Sequence, residues 1–304
     1  MGAWEPTLRE PLRALLVSTD FSKGAERALE RALLLPLAPE AKVHIVHVLP
    51  RHLPAKLRPK AESEARRRLE QVLSEVRKRK AGTKINVTSE ILCGETFVEI
   101  LRTSRSRSVE LIVLGRHGRR PIRDMFIGTT AERVVRKGDV PILVVNLKPT
   151  HPYRHPLIAT DLENSSRRAV DLALRVLDTN VKRVNVVHAF QVPFEGFVTA
   201  SASPGDKIEW RRSYQRTAVT GMSTFLAPYQ HSGVLWKTFI RQGDPRSVVL
   251  AAAARCQADL IALGTHGKSG IAHALLGSVA EWVITAATCD VLVAKPIRIS
   301  VELP

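Results

Sequence analysis

Cysteine is scarce in this sequence. Cys93, Cys256 and Cys289 are odd in number and have no C-x-x-C spacing. That excludes a disulfide-stapled scaffold and the paired-cysteine zinc modules, and it predicts buried, reduced thiols. No run of 18 or more apolar residues occurs, which excludes a helical membrane span. The amino-terminal stretch MGAWEPTLREPLRALLVSTD offers only residues 12–17 as an apolar run, soon closed by Asp20. A secretory leader needs a longer one, so a cytosolic protein is expected. Acidic residues are in deficit, 29 against 46 Lys and Arg, for a net charge of +17. Most of the excess lies in residues 1–150, with 29 basic against 17 acidic residues; the remainder has 17 against 12. Such a surface either attracts polyanions in a salt-dependent way or is a solvated basic face, and composition leaves both open.

A glycine is missing too. The stretch GTHGKS, Gly264 to Ser269, ends in the Gly-Lys-Ser that closes a P-loop. A P-loop needs a further glycine five residues before that Gly-Lys pair, so that backbone N–H groups wrap the phosphates. Counting back from Gly267 gives Ala262, inside the apolar run 260–263, which reads as a buried strand. The P-loop is excluded on spacing, and the glycines need another explanation.

What the sequence does have is a repeat. LVSTD (16–20) is matched by LIATD (157–161), and IVHV (45–48) by VVHA (186–189), both at an offset of 141. ELIVLGRHG (110–118) is matched by DLIALGTHG (259–267), and ILVV (142–145) by VLVA (291–294), now at an offset of 149. Four matches in one order mark a duplicated domain, and the change of eight places one insertion, roughly residues 191–214. The 304 residues suit two ordinary domains. Pro149, Pro152 and Pro156 set the boundary near 150, giving domains 1–150 and 151–304.

Within each repeat, short Val/Ile/Leu runs read as strands covered on both faces. Ala25, Ala28, Leu29, Ala32 and Leu33 recur at helical spacing, as do Leu69, Val72, Leu73 and Val76. Thr129 with Glu132, and Ser278 with Glu281, carry the capping-box spacing of a helix start. Strands alternating with helices predict right-handed crossovers and a parallel sheet, β-α-β-α-β-α-β-α-β in each half. The insertion reads as a loop entering a helix. Its stretch from Trp210 to Tyr214, basic and aromatic, either stacks on bases or packs over one edge.

The glycines of the two repeats now align. GRHGRRPIRDMFIGTT holds Gly115, Gly118, Gly128 and Thr129; GTHGKSGIAHALLGSV holds Gly264, Gly267, Gly277 and Ser278. Both satisfy G-x2-G-x9-G-[ST]. The first glycine ends a central strand, where a parallel sheet opens its ligand crevice. The second is free to take positive φ and let an anion approach the backbone. The third precedes a helix start, whose free N–H groups and dipole favour phosphate.

On these residues the sequence resembles the universal stress protein family, in a tandem two-domain form of its ATP-binding branch. The resemblance covers nearly the whole chain apart from about the first ten residues and the insertion. It implies two tandem doubly wound α/β domains, Rossmann-like and adenine-nucleotide α-hydrolase-like, each with a five-stranded parallel sheet in the order 3-2-1-4-5. By resemblance, Asp20 and Asp161 face the adenosine, and Val48 and Ala189 offer backbone contacts to the base. Gly115, Gly118, Gly128, Thr129 and Thr130 hold phosphate in the first domain, and Gly264, Gly267, Gly277, Ser278 and Val279 in the second. The ligand implied is ATP, with or without Mg²⁺. Pairing through the last strands is implied as well, within the chain, and two such chains associate further as a dimer.

Competing readings stand beside these. Asp20 and Asp161 either mark a site or cap the next helix. His47 and His188 are hydrogen-bonded core histidines or ligands. His117 and His266 touch phosphate or are solvated. Arg116, Arg119, Arg120 and Arg123 grip phosphate or point into water. Three functions follow: an ATP-binding stress-response regulator, which leads; an enzyme hydrolysing ATP slowly on the same fold; and a nucleotide-free, polyanion-binding protein.

Overall fold

The computed structural model describes residues 9–116, 129–193, 203–265 and 276–295. The first half runs β1 (Leu12–Ser18), α1 (Lys23–Leu34), β2 (Leu37–Pro50), α2 (Arg58–Arg79), β3 (Asn86–Gly94), α3 (Thr96–Ser106), β4 (Leu111–Gly115), α4 (Thr129–Lys137) and β5 (Ile142–Val145). The second runs β6 (Pro156–Ala159), α5 (Asn164–Val176), β7 (Arg183–Phe190), α6 (Pro204–Leu226), β8 (Leu235–Gln242), α7 (Pro245–Arg255), β9 (Leu260–Gly264), α8 (Ser278–Ala286) and β10 (Asp290–Ala294).

Local chemistry accounts for these boundaries. α1 starts where Ser22 accepts a hydrogen bond from Ala25 N, and its buried face is Ala25, Ala28, Ala32 and Leu33. α6 starts at a complete capping box: Ser203 and Asp206 bond reciprocally, with Pro204 at the first helical position. β5 and β10 are buried along their whole length, and β4 and β9 up to their final glycines, as strands with helices on both faces must be. The three cysteines are free, but the expected burial holds only for Cys289; Cys256 is half-buried and Cys93 exposed.

The strands form one sheet in the order β3-β2-β1-β4-β5-β10-β9-β6-β7-β8. Each half therefore has the expected order 3-2-1-4-5, parallel throughout. The halves meet at one antiparallel pair, β5 on β10, with Ile142 opposite Val293 and Val144 opposite Val291. Alternation along the strands sends Leu111 and Val113 to one face and Ile112 and Leu114 to the other. Each face buries a cluster to which both halves contribute, such as Val135 with Ile284, or Val17 with Leu292.

Side chains lock that junction. Asp290, at the start of β10, is fully buried and accepts from Asn146 N (2.8 Å), Leu147 N (2.9 Å), Arg31 Nε (3.1 Å) and the Tyr153 hydroxyl (2.7 Å). Arg31 also donates to His151 O (2.9 Å) and lies over the Tyr153 ring at 4.0 Å. One carboxylate thus ties α1, the connecting segment and β10 together. A matching pair of acids fixes each first strand. Glu110 accepts from Arg13 N and Ala14 N, and Asp259 from Arg154 N and His155 N.

Candidate functional site

Both halves build the same turn after their first strand. Thr19 Oγ1 accepts from Phe21 N (3.0 Å) and Asp20 Oδ1 from Ser22 N (3.0 Å). Thr160 Oγ1 accepts from Leu162 N (2.9 Å) and Asp161 Oδ1 from Glu163 N (3.0 Å). The turn holds Phe21 at φ 61° and Leu162 at φ 68°, a left-handed conformation that costs a non-glycine residue free energy. The aspartates are therefore turn-formers rather than helix caps, since the N-cap of α1 is Ser22 and that of α5 is Glu163. The threonines carry the same turn, and the repeated Thr-Asp was the signal for them. His47 and His188 hold the strand ends, each Nδ1 meeting the carbonyl of Thr19 or Thr160, at 2.8 and 2.9 Å.

In the second half this turn borders a cavity of about 650 Å³ at the carboxyl ends of β9, β6 and β7. It brings together six of the residues marked by the sequence: Asp161, Ala189, Gly264, Gly277, Ser278 and Val279. Ser166 donates to Asp161 Oδ1 at 2.6 Å, while Asp161 Oδ2 is buried with no hydrogen-bond partner among the described residues. An unsatisfied buried carboxylate oxygen marks a place for a donor. Across the cavity, α8 begins with Gly277 as N-cap, a residue with no side chain to bond the first turn. Uncapped N–H groups there are donors awaiting an acceptor. Gly267 lies outside the described residues.

The expected capping box is thereby corrected. Ser278 is the first helical residue rather than the cap, and Glu281 reaches Arg136 of α4 instead, at 2.8 Å. A glycine cap leaves the cavity side of the helix start clear. Gly277 has φ −60° and ψ 144°, an ordinary extended conformation, so its value there is the space it leaves.

The first half places its marked residues differently. Gly115 ends β4, Val48 lies in β2, and Thr129 and Thr130 begin α4. A Cβ on Gly115 would fall 2.4 Å from the Gly24 carbonyl, so only glycine lets β4 end against α1. A smaller cavity of about 160 Å³ lies between α1 and α2, bordered by Phe21, Glu26 and Glu75 among others; Asp20, Val48, Gly115, Thr129 and Thr130 do not line it. Above the end of β2 the Phe21 ring packs on His47, centroids 4.5 Å apart, and Arg68 sits 5.5 Å from the same ring. Their counterparts Leu162 and His188 both face the open cavity. Gly118 and Gly128, with His117, Arg119, Arg120 and Arg123, lie outside the described residues, as does His266.

Arg116 does neither thing the sequence suggested. Its guanidinium crosses to the other half and donates to Thr285 O and, at 2.9 Å, to Ala287 O, the carboxyl end of α8. Burial draws its pKa below the ordinary arginine value. Lys295 repays the contact from the second half, donating to Val135 O near the end of α4. Each of these helices thus has a cation from the opposite half at its negative end.

Comparisons with known proteins agree with this architecture. The model of the universal stress protein family matches residues 11–146 and again 152–295. The chain is 32% identical over 146 residues to universal stress protein A homolog 1 of Coxiella burnetii, covering 46% of this chain and 94% of that protein. It is 25% identical over 224 residues to a universal stress protein of Mycobacterium tuberculosis, covering 71% of this chain and 67% of that one. Among solved structures, a universal stress protein from Archaeoglobus fulgidus superposes with a TM-score of 0.61 at 21% identity, covering 93% of this chain and 98% of that chain, a likeness of fold.

Proposed function

This chain belongs to the universal stress protein family, as two tandem copies of its domain, and on that premise we propose that it is a regulatory protein that binds adenine nucleotide. Both glycine motifs are sites in this reading, with the second half the tighter. The observation that carries it is the second-half cavity, which sets an unsatisfied carboxylate oxygen of Asp161 opposite the uncapped start of α8. The Gly277 N–H is taken by Thr265 O at 2.7 Å, so the N–H groups of Ser278 and Val279 suit a phosphate, with or without Mg²⁺ as its counter-ion, and Gly277 leaves room for it. The carboxylate of Asp161 suits ribose hydroxyls, which donate. In this reading the backbone of Ala189, which lines the cavity, meets the base. The volume falls within the range of small-molecule sites, roughly 300–1,000 Å³. When bound, ATP supplies a polyanionic chain and a base; the protein supplies shape and donors, and its occupancy is the regulatory signal. Asp20, Val48, Gly115, Gly118, Gly128, Thr129 and Thr130 hold the weaker site. A cytosolic setting and a dimer of tandem chains belong to the same proposal.

The test is Gly277→Val, made in a Gly128→Val background that removes the first motif. Valine adopts the backbone conformation of Gly277 readily, so folding should persist while its methyls fill the anion's space. ATP affinity should fall at least about tenfold in calorimetry, the loss of one charge-assisted hydrogen bond or more, with the melting temperature held within a few degrees. Unchanged affinity would mean that phosphate does not sit at the start of α8.

A further inference from the structure

In the second half one wall of the cavity is α6, which stands where α2 stands in the first half. Helix α6 begins inside the insertion, at Pro204, and packs on β7 and β8. Tyr214, Thr217, Ala218 and Gly221 all line the cavity, and their spacing of i, i+3, i+4 and i+7 puts them on one helical face. Gly221 is what lets that face come close, since a Cβ there would sit 3.0 Å from Leu162 Cδ1. Tyr214 is half-buried, and its ring leans on Trp210 at 5.6 Å with an interplanar angle of 53°.

Sheet order decides which part of a ligand would meet this wall. The cavity runs across β9, β6 and β7 in that order. Helix α8 begins at the β9 end, beside Gly264 and Thr265, while α6 stands at the β7 end, beside Phe190 and Gln191. A ligand with its anionic group at α8 therefore has its opposite end against Tyr214. Aromatic rings are sequence-tolerant platforms for bases, because every base offers a π-face.

We infer that Tyr214 is a recognition residue for the heteroaromatic base, so that the second half senses the base and not the phosphates alone. The inference rests on the nucleotide reading above and adds to it a residue of α6 that closes the insertion. The first half has Phe21 packed on His47 at the corresponding strand end.

The experiment compares ATP, adenosine and inorganic triphosphate binding to the full chain by calorimetry, in the Gly128→Val background, for Tyr214, Tyr214→Ala and Tyr214→Phe. Tyr214→Ala should weaken ATP and adenosine about tenfold and leave triphosphate unchanged, while Tyr214→Phe retains most of the affinity. Melting temperatures should stay together, as the side chain is only half-buried. ATP affinity unmoved by Tyr214→Ala would overturn this inference alone. Equal losses for ATP and triphosphate would also overturn it, by showing a general distortion. Failure of the Tyr214 protein to bind ATP would remove the nucleotide reading and this inference with it.

Discussion

Positions 21 and 162 stand at the same point of the same turn, at φ 61° and 68°, yet one is phenylalanine and the other leucine. In the first half the Phe21 ring lies on His47; in the second, Leu162 leaves His188 facing the cavity. The clefts between each half's first two helices differ as well. Glu26, Glu30 and Glu75, with the single cation Arg79 paired to Glu30, border that of the first half, whereas Arg167 and Arg216 border that of the second. The more basic half of the sequence thus has the more acidic cleft. A duplicated backbone reproduces strands, turns and their strain, but a site is made by the space that side chains leave, and that has diverged.

The largest effect should come from severing the halves. Arg31→Met leaves Asp290 buried at 0% exposure without its cation. Unfolding in urea, followed by tryptophan fluorescence, should show a loss of about 3–5 kcal/mol. A loss under about 1 kcal/mol would show that the halves are held together by the sheet alone. Next comes pH. Burial draws the Lys295 amine from 10.5 down to about 8. Between those values the unfolded chain holds a proton that the folded chain has shed, so this residue makes stability rise with pH. Relative to Lys295→Met, the protein with lysine should gain roughly 2–3 kcal/mol from pH 8 to 10.5. Tyr153 and Cys289, both pushed up by burial, slope the opposite way but are common to both proteins and cancel. A difference that stays flat would mean that Lys295 keeps its proton. The smallest effect sharpens the comparison itself. Leu162→Phe should weaken nucleotide binding in the second half about fivefold, ~1 kcal/mol, and Phe21→Leu should tighten the first half by a similar factor. Calorimetric titration of the two single variants decides it, and no change in either would mean that position 21/162 does not govern access.

Much of this was legible in the residues. The offsets 141 and 149 located the duplication, and the apolar runs located the strands, because buried parallel strands are written locally; their order in the sheet came from the family resemblance. Asp161, Ala189, Gly264 and Gly277 do meet around one cavity. Three things were not legible. The partner of Arg116 lies 169 residues away at Thr285, and no local pattern encodes a contact between halves. Ser278 carried the capping-box spacing, but Glu281 had Arg136 within reach, and an ion pair across the halves replaced the reciprocal cap. Tyr214 was visible as an aromatic in a basic stretch, yet its direction depends on the start of α6 at Pro204 and on the close approach at Gly221.

The antiparallel seam between β5 and β10 has one more consequence, for behaviour on dilution. Strands that join separate chains associate with a strength set by how many chains are present. Here the connecting segment 146–155 makes the encounter intramolecular, so each strand meets its partner at a fixed effective concentration. The two halves stay side by side whether the protein is abundant or rare, and their ratio is one to one by synthesis.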